Sequence, residues 1–345
     1  MSLLRIRQLA PTLRRACWTS IVIEPPAAQS VGVSGRVYEF EESLEIRFPA
    51  GQVWAARAGD KRYVLKELPE SWRWENFLEN IWPSLDKHPN IRLPCDTILG
   101  QRTLVYEHLS HDYLDLAQEL PAPAQRQVLK SILQGLAELH SRRVAHLDVK
   151  PNNVMVDCSF ENGSPTVQKV QVIDFEDGAL LKPGKYVAER FCGNENWRSP
   201  EQAFRGYLYA PTDMFSFGIT CIYGMLRRII FWRDEDLERH KALGNTDQLA
   251  RLTRQVMYFG DAKGLKGLRR FAAGKDKMAI RKSLDAIWKD RKNSELPYKH
   301  FSLWPEIEDK GFKDVVLKMM NLDPEKRLTA REALEHPWFA DVKPL

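Results

Sequence analysis

The spacing of apolar and polar positions changes period partway along the chain. Residues 37–109 are strand-like, with one helical interruption. Within them, Val53-Trp54-Ala55-Ala56 and Tyr63-Val64-Leu65-Lys66 flank the turn Ala58-Gly59-Asp60-Lys61, which predicts a hairpin. Residues 71–82 set Trp74, Phe77, Leu78 and Ile81 at helical spacing, and Thr103-Leu104-Val105-Tyr106 is a short run of strand formers. Beyond Asp115 helical periods dominate. Residues 125–140 carry Val128, Leu129, Ile132, Leu133, Leu136 and Leu139 on one helical face. Strand-like stretches at 154–156 and 170–173 bracket a polar turn at 161–165. Further helices are predicted near 214–227, 236–254, 278–289 and 311–320, with a last one at 330–335. This is an α+β pattern with a small β-rich N-terminal lobe and a larger helical C-terminal lobe. The predicted divisions are an extension and linker over 1–35, the small lobe and hinge over 36–109, and the large lobe over 110–345.

Composition narrows the class. With 43% hydrophobic and 28% charged residues the chain can bury enough apolar surface to offset its conformational entropy, so disorder throughout is excluded. The 345 residues suit about two lobes or domains. Fifty-one Lys and Arg against 46 Asp and Glu give a net charge of +5, too weak a bias to call for a nucleic-acid partner. Five scattered cysteines with no Cys-x-x-Cys pair predict reduced thiols in an intracellular protein, cytoplasmic or nuclear. Apolar runs fall far short of the ~20 residues that cross a bilayer, so no membrane association is expected. The first twenty residues carry Arg5, Arg7, Arg14 and Arg15 and no acid, interleaved with Leu3, Leu4, Ile6 and Leu9. That pattern resembles a mitochondrial transit peptide; the competing reading is a basic tail.

The chemistry is concentrated in Val144-Ala145-His146-Leu147-Asp148-Val149-Lys150-Pro151-Asn152-Asn153, a polar cluster set in apolar surroundings. An acid, a base two residues on and an amide three further can converge from one loop to accept a hydroxyl proton, neutralise phosphate and hold a divalent cation. Asp174, closing the strand at 170–173, offers a hard cation a second oxygen ligand. Lys66, centred in an apolar strand, is costly unless it meets an anion. Each of these alone reads as a solvated or salt-bridged side chain, but their order and number make that reading improbable.

These motifs resemble those of the eukaryotic protein kinases, over about residues 40–340. His146-Leu147-Asp148-Val149-Lys150 with Asn153 is similar to the catalytic loop, and Asp174-Phe175-Glu176 stands where the family has Asp-Phe-Gly. Ser199-Pro200-Glu201 matches the Ala-Pro-Glu triplet, and Asp213 to Gly218 resembles the start of the large lobe's central helix. Asp323-Pro324-Glu325-Lys326-Arg327, followed by His336-Pro337-Trp338-Phe339, resembles the family's C-terminal signature. The resemblance implies ATP and Mg²⁺ as cofactors and a protein substrate. It implies that Lys66 holds the α- and β-phosphates, paired with Glu79 or, as the alternative, Glu75. Asp148 would receive the substrate hydroxyl proton, with Lys150 stabilising the transferred phosphoryl group and Asn153 and Asp174 ligating magnesium. Gly51, Val53 and Val64 would cover the nucleotide, Glu107 and Leu109 would supply hinge backbone to adenine, and Glu201 would pair with Arg327. Lys150, two places after Asp148, resembles the serine/threonine kinases.

Several positions depart from the family pattern. Aligning Gly51 with the last glycine of the phosphate-covering loop puts Ile46 and Phe48 on the first two glycine positions, at a cost of about 1–2 kcal/mol, or roughly tenfold in nucleotide affinity. Glu176 replaces a glycine, and Pro83, soon after Glu79, ends or kinks its helix. Leu147 replaces the arginine that reads a phosphorylated activation segment, while Tyr186 is the sole hydroxyl side chain between Asp174 and Trp197. Both point away from control by loop phosphorylation. The segment 261–292 is basic, which suggests either a solvated helical face or a dock for an acidic or phosphorylated partner. The leading expectation is a serine/threonine protein kinase. A pseudokinase scaffold is the alternative, and a small-molecule phosphotransferase is disfavoured by the peptide-positioning segment around Ser199-Pro200-Glu201.

Overall fold

The structure is a computed structural model that describes residues 28–47, 51–68, 72–161, 163–291, 299–343 and 345. The transit-peptide-like stretch and Phe48 lie outside the described residues.

The small lobe is a six-stranded antiparallel sheet: β1 (Gln29–Val31), β2 (Val37–Arg47), β3 (Gly51–Ala58), β4 (Lys61–Glu67), β5 (Asp96–Thr97) and β6 (Thr103–Glu107), in the order β1-β2-β3-β4-β6-β5. The predicted hairpin forms with Ala58 opposite Lys61, and Gly59 takes the left-handed conformation (φ +60°) that the tight turn requires. Part of the expected linker is instead structured. Residues 29–31 pair with β2, and the Ser34 amide donates to Asp96 Oδ1 (3.2 Å). Strand pairing captures this stretch although its own composition carries little strand signal. Tyr38, Trp54, Tyr63, Leu65, Ile98 and Val105 form the outer core of this sheet.

The helical interruption is a five-residue helix α1 (Trp72–Asn76) that widens into a π-type turn over Phe77–Ile81, where the Trp82 amide donates to the Phe77 carbonyl five residues back. A 3₁₀ turn, Trp82–Ser84, then carries Pro83 and ends the element, as proline should.

The large lobe is built around α3 (Ala122–Ser141), preceded by β7 (His111–Asp112) and α2 (Tyr113–Leu116). Val128, Leu129, Ile132, Leu133, Leu136 and Leu139 of α3 are wholly buried, which is why this helix forms the lobe's spine. Short β8 (Val144–Ala145) pairs with β11 (Ala179–Leu180), and β9 (Val154–Glu161) with β10 (Ser164–Val172). Helices α4 (Pro200–Ala203) and α5 (Ala210–Leu226) follow; α5 is apolar nearly all round and buried along most of its length. The predicted helix over 236–254 is two helices, α6 (Glu235–Ala242) and α7 (Asp247–Phe259). Gly244 breaks it with φ +82°, and the Thr246 hydroxyl accepts from the Leu249 amide to start the second. The lobe closes with α8 (Ala262–Leu268), α9 (Lys277–Asp290), α10 (Lys310–Met319), α11 (Ala330–Glu335) and α12 (Pro337–Ala340). One continuous core runs from Trp74, Phe77 and Leu104 of the small lobe into α3, α5 and α10. Among the described residues no helix is long and apolar enough to cross a membrane.

Candidate active site

Between the lobes lies a cleft of about 530 Å³. Val53, Val64, Tyr106, Leu109 and Met155 contribute its apolar lining, and Lys66, Arg92, Asn152 and Asp174 its polar groups. Val53 and Lys66 face each other across the β3–β4 ladder, which puts the lysine on the cleft side of the sheet.

The large-lobe wall is the loop after β8. Its shape is set from beneath by Asp213 at the start of α5, which is fully buried and accepts from the His146 amide (2.8 Å), the Leu147 amide (2.8 Å) and His140 Nε2 (2.9 Å). Those bonds hold Leu147 in the left-handed region (φ +63°), a conformation a branched side chain adopts only under such constraint. Asp148 follows on this loop, which contributes Asn152 to the cleft lining. Its Oδ2 accepts from Lys150 Nζ (2.5 Å) and Asn153 Nδ2 (3.0 Å), and its Oδ1 from the Asn194 amide (2.9 Å). Burial raises the Asp148 carboxyl above the ordinary aspartate value, and Lys150 draws it partly back. A carboxylate fixed by three donors and next to an ammonium is poised to take a proton from a hydroxyl that enters the cleft within hydrogen-bond reach.

Asn153 donates its amide hydrogens to Asp148, which leaves the amide oxygen as its acceptor. The Ile173 amide donates to the Asn153 carbonyl (3.0 Å), so the residue preceding Asp174 lies against Asn153. Hard oxygens from two adjacent loops are a donor set that suits magnesium, an ion that takes one or two protein ligands and completes its shell with phosphate and water. Asp174 itself is in the left-handed region (φ +69°). Phe175 is buried, stacked on Phe77 (6.1 Å between centroids) and against the His146 ring (5.3 Å), and so ties this turn to both lobes.

The expected Lys66–Glu79 pair does not form. Lys66 Nζ bonds Asp174 Oδ1 (2.7 Å) and Glu176 Oε1 (2.5 Å), with the Trp74 ring 4.6 Å away. Burial would lower the lysine's pKa, but Asp174 and Glu176 outweigh it and raise it. Glu79 and the alternative, Glu75, are exposed beside Leu68, Leu78 and Leu104, on a surface depression away from the cleft. The physical reason is the register of α1 and its wide turn, which present Trp74 and Phe77 inward and turn both glutamates outward. Gly51 begins β3 with φ +91°, and Ile46 pairs with Gln52 through the backbone. The Glu107 side chain points outward to Lys169 (2.9 Å), which leaves only its backbone for the role expected of it.

Two residues escaped the reading of the sequence. Asp213 was visible as part of a motif, but its role is tertiary. Arg92, buried in the cleft wall over the Tyr106 ring (5.0 Å), donates to the Glu107 carbonyl (2.6 Å). Burial lowers the Arg92 pKa to about 10. A charged residue directly after an apolar turn, at Ile91-Arg92, was the available signal.

In the large lobe the Glu201–Arg327 pair forms as expected, through Oε1 (2.6 Å) and Oε2 (2.8 Å).

A protein kinase domain family model matches residues 80–339. The chain is 25% identical over 275 residues to serine/threonine-protein kinase srb10 of Schizosaccharomyces pombe, covering 74% of this chain and 69% of the relative. It is also 25% identical over 335 residues to cyclin-dependent kinase 4 of Xenopus laevis, covering 92% of this chain and 90% of that relative.

Proposed function

The chain belongs to the protein kinase family, and from that membership we propose that it is a catalytically competent serine/threonine kinase whose activity does not depend on activation-segment phosphorylation. The observation that carries this reading is the triply held Asp148 carboxylate with Lys150 bonded to it. Members of the family use ATP and magnesium. In this reading Asp148 takes the proton of a serine or threonine hydroxyl as its oxygen attacks the γ-phosphorus, and ADP departs. Lys150 offsets charge on the transferred group, and Lys66 steadies the α- and β-phosphates. Asn153 and Asp174 would hold magnesium, which supplies charge neutralisation across the phosphates. Val53, Val64 and Leu109 would sandwich adenine, with hinge backbone at Glu107 and Leu109 binding its edge and Gly51 covering the phosphates. The small lobe would extend to this hinge and the large lobe beyond it.

Independence from phosphorylation is supported by what replaces the phosphate. Leu147 is buried with Cys192 and Leu208, so an apolar contact anchors the segment where an arginine would stand. Asp177 draws Arg73 Nη1 of α1 (3.0 Å) and Arg190 Nη2 of the segment (3.6 Å) to one oxygen, while its other oxygen accepts from the Gly193 amide (2.8 Å). A built-in carboxylate thus stands among the cations that a phosphate would attract.

A scaffold without catalysis is the second reading. The Arg92 bond to the Glu107 carbonyl favours it, because adenine's amino group would meet the same acceptor. Incubation with MgATP and a mixed peptide library, followed by identification of the modified residue, separates the two. Phosphoserine and phosphothreonine are expected. Phosphotyrosine alone would refute the specificity, and no product would favour the scaffold.

A further inference from the structure

We propose that Glu176 has taken over the charge-pairing role at Lys66 that a helix glutamate would otherwise fill, and is therefore a positioning residue for the nucleotide-binding lysine. The inference rests on the kinase reading of this cleft for its function, but on geometry alone for the pairing. A lysine ammonium this enclosed needs an anion within contact distance. The helix that should deliver one presents Trp74, whose ring lies 4.6 Å from Nζ, and turns Glu75 and Glu79 to the surface. Glu176, at the position where the family motif has glycine, supplies Oε1 at 2.5 Å from the 3₁₀ turn Phe175–Asp177. Its side chain is 19% exposed against 14% for Lys66, so the contact is sheltered from solvent screening. The turn bearing it is fixed by Phe175, buried between Phe77 and His146.

The relocation changes what the pair depends on. A glutamate on α1 would couple the lysine to the position of that helix. Glu176 couples it instead to the turn that carries Asp174, so lysine and magnesium-binding acid are set by one local element. Asp174 also touches Lys66, at 2.7 Å, and the Glu176 side chain is hydrogen-bonded to Asp174 as well, so the lysine and both carboxyl groups form one cluster in which Glu176 is the member that is not a candidate metal ligand. Glu176 in place of glycine is thus a compensating substitution.

The test is a pair of double-mutant cycles read by thermal unfolding, one with Lys66→Met and Glu176→Gln, the other with Lys66→Met and Glu79→Gln. The expected result is strong non-additivity in the first cycle, with Glu176→Gln destabilising the chain only while Lys66 is present, and additivity in the second. Affinity for a fluorescent ADP analogue, which needs only the single variants, should fall about tenfold in Glu176→Gln and less than twofold in Glu79→Gln, with Glu176→Asp intermediate. Additivity in the first cycle, or coupling in the second, overturns the proposal, as does a loss of nucleotide affinity confined to Glu79→Gln. Coupling at Glu176 in a protein that transfers no phosphate would retain the pairing and refute the kinase reading.

Discussion

Glu201 and Arg327, 126 residues apart in the chain, form a two-pronged ion pair with both side chains fully excluded from solvent. Arg327 Nη1 also donates to the Pro211 carbonyl and its Nε to the Asn321 carbonyl, so the guanidinium joins α4, α5 and the turn before α11. Removing one partner leaves a buried charge uncompensated. Glu201→Ala or Arg327→Ala should therefore destabilise the protein by ~3–5 kcal/mol in denaturant unfolding. A loss below about 1 kcal/mol in either variant would contradict a structural role for the pair.

Asp177 should substitute for a regulatory phosphate. Phosphatase treatment is expected to leave activity unchanged, and Tyr186→Phe, at an exposed ring packed against Tyr207 and Tyr209, should retain it. Asp177→Asn, which abolishes the charge that gathers Arg73 and Arg190, should raise proteolytic cleavage within residues 182–191 and lower kcat several-fold. A phosphatase-sensitive wild type would overturn this.

Four buried or half-buried histidines should withdraw their contribution to stability as pH falls below neutrality. Burial lowers the pKa of His88, His108, His240 and His300 relative to the ordinary value of 6.5. At these four sites the folded state binds fewer protons than the unfolded chain, so their contribution to stability is full above about 6.5 and is lost as pH drops through that value toward the folded pKa values, while Glu176, pushed up to about 7 by burial and by Asp174, acts in the opposite direction. His240 is entirely buried, with Arg254 also disfavouring its charge. The melting temperature at pH 7.5 minus that at pH 5.5, at fixed ionic strength, should be smaller in His240→Asn than in the wild type. An equal difference in the variant would exclude His240 as a contributor.

The basic segment is expected to behave mainly as a solvated face. Arg269 pairs with Asp285, Arg270 with Asp323 and Glu325, and Arg281 donates to the Arg269 carbonyl, which leaves exposed lysines such as Lys263, Lys266, Lys282 and Lys289 as the outward charge. Lys292 lies outside the described residues. Replacing those four lysines with glutamine should alter the KM for a protein substrate less than twofold between 50 and 200 mM salt, on the order of a weak surface effect. A large, salt-sensitive rise in KM would establish a dock for an acidic partner.

What the sequence disclosed follows the range of the forces involved. The candidate catalytic loop stood out because Asp148, Lys150 and Asn153 are charged or polar groups lying within six residues of one another inside an apolar run. Helix α11 was legible to the residue because Thr329 and Glu332 form a capping box in sequence as well as in space. The lysine's partner was not. Its place nine residues before the family-like turn His88-Pro89-Asn90-Ile91 points to Glu79, but the π-type turn at Phe77–Ile81 shifts the facing side, and Trp74 wins the inward position by burial. The break at Gly244 was masked because apolar spacing continues across it into α7. Asp213 carries no local signal of its task, since the amides it holds lie more than 60 residues earlier.

The most direct test of catalytic competence is transfer of labelled γ-phosphate from MgATP to a serine- and threonine-containing protein substrate, comparing wild type with Asp148→Asn in folded, purified protein. A competent kinase gives transfer by the wild type and a loss of at least about a hundredfold in the variant, whose amide cannot take the hydroxyl proton. Equal transfer by both, or none by a wild type that binds nucleotide, would contradict it.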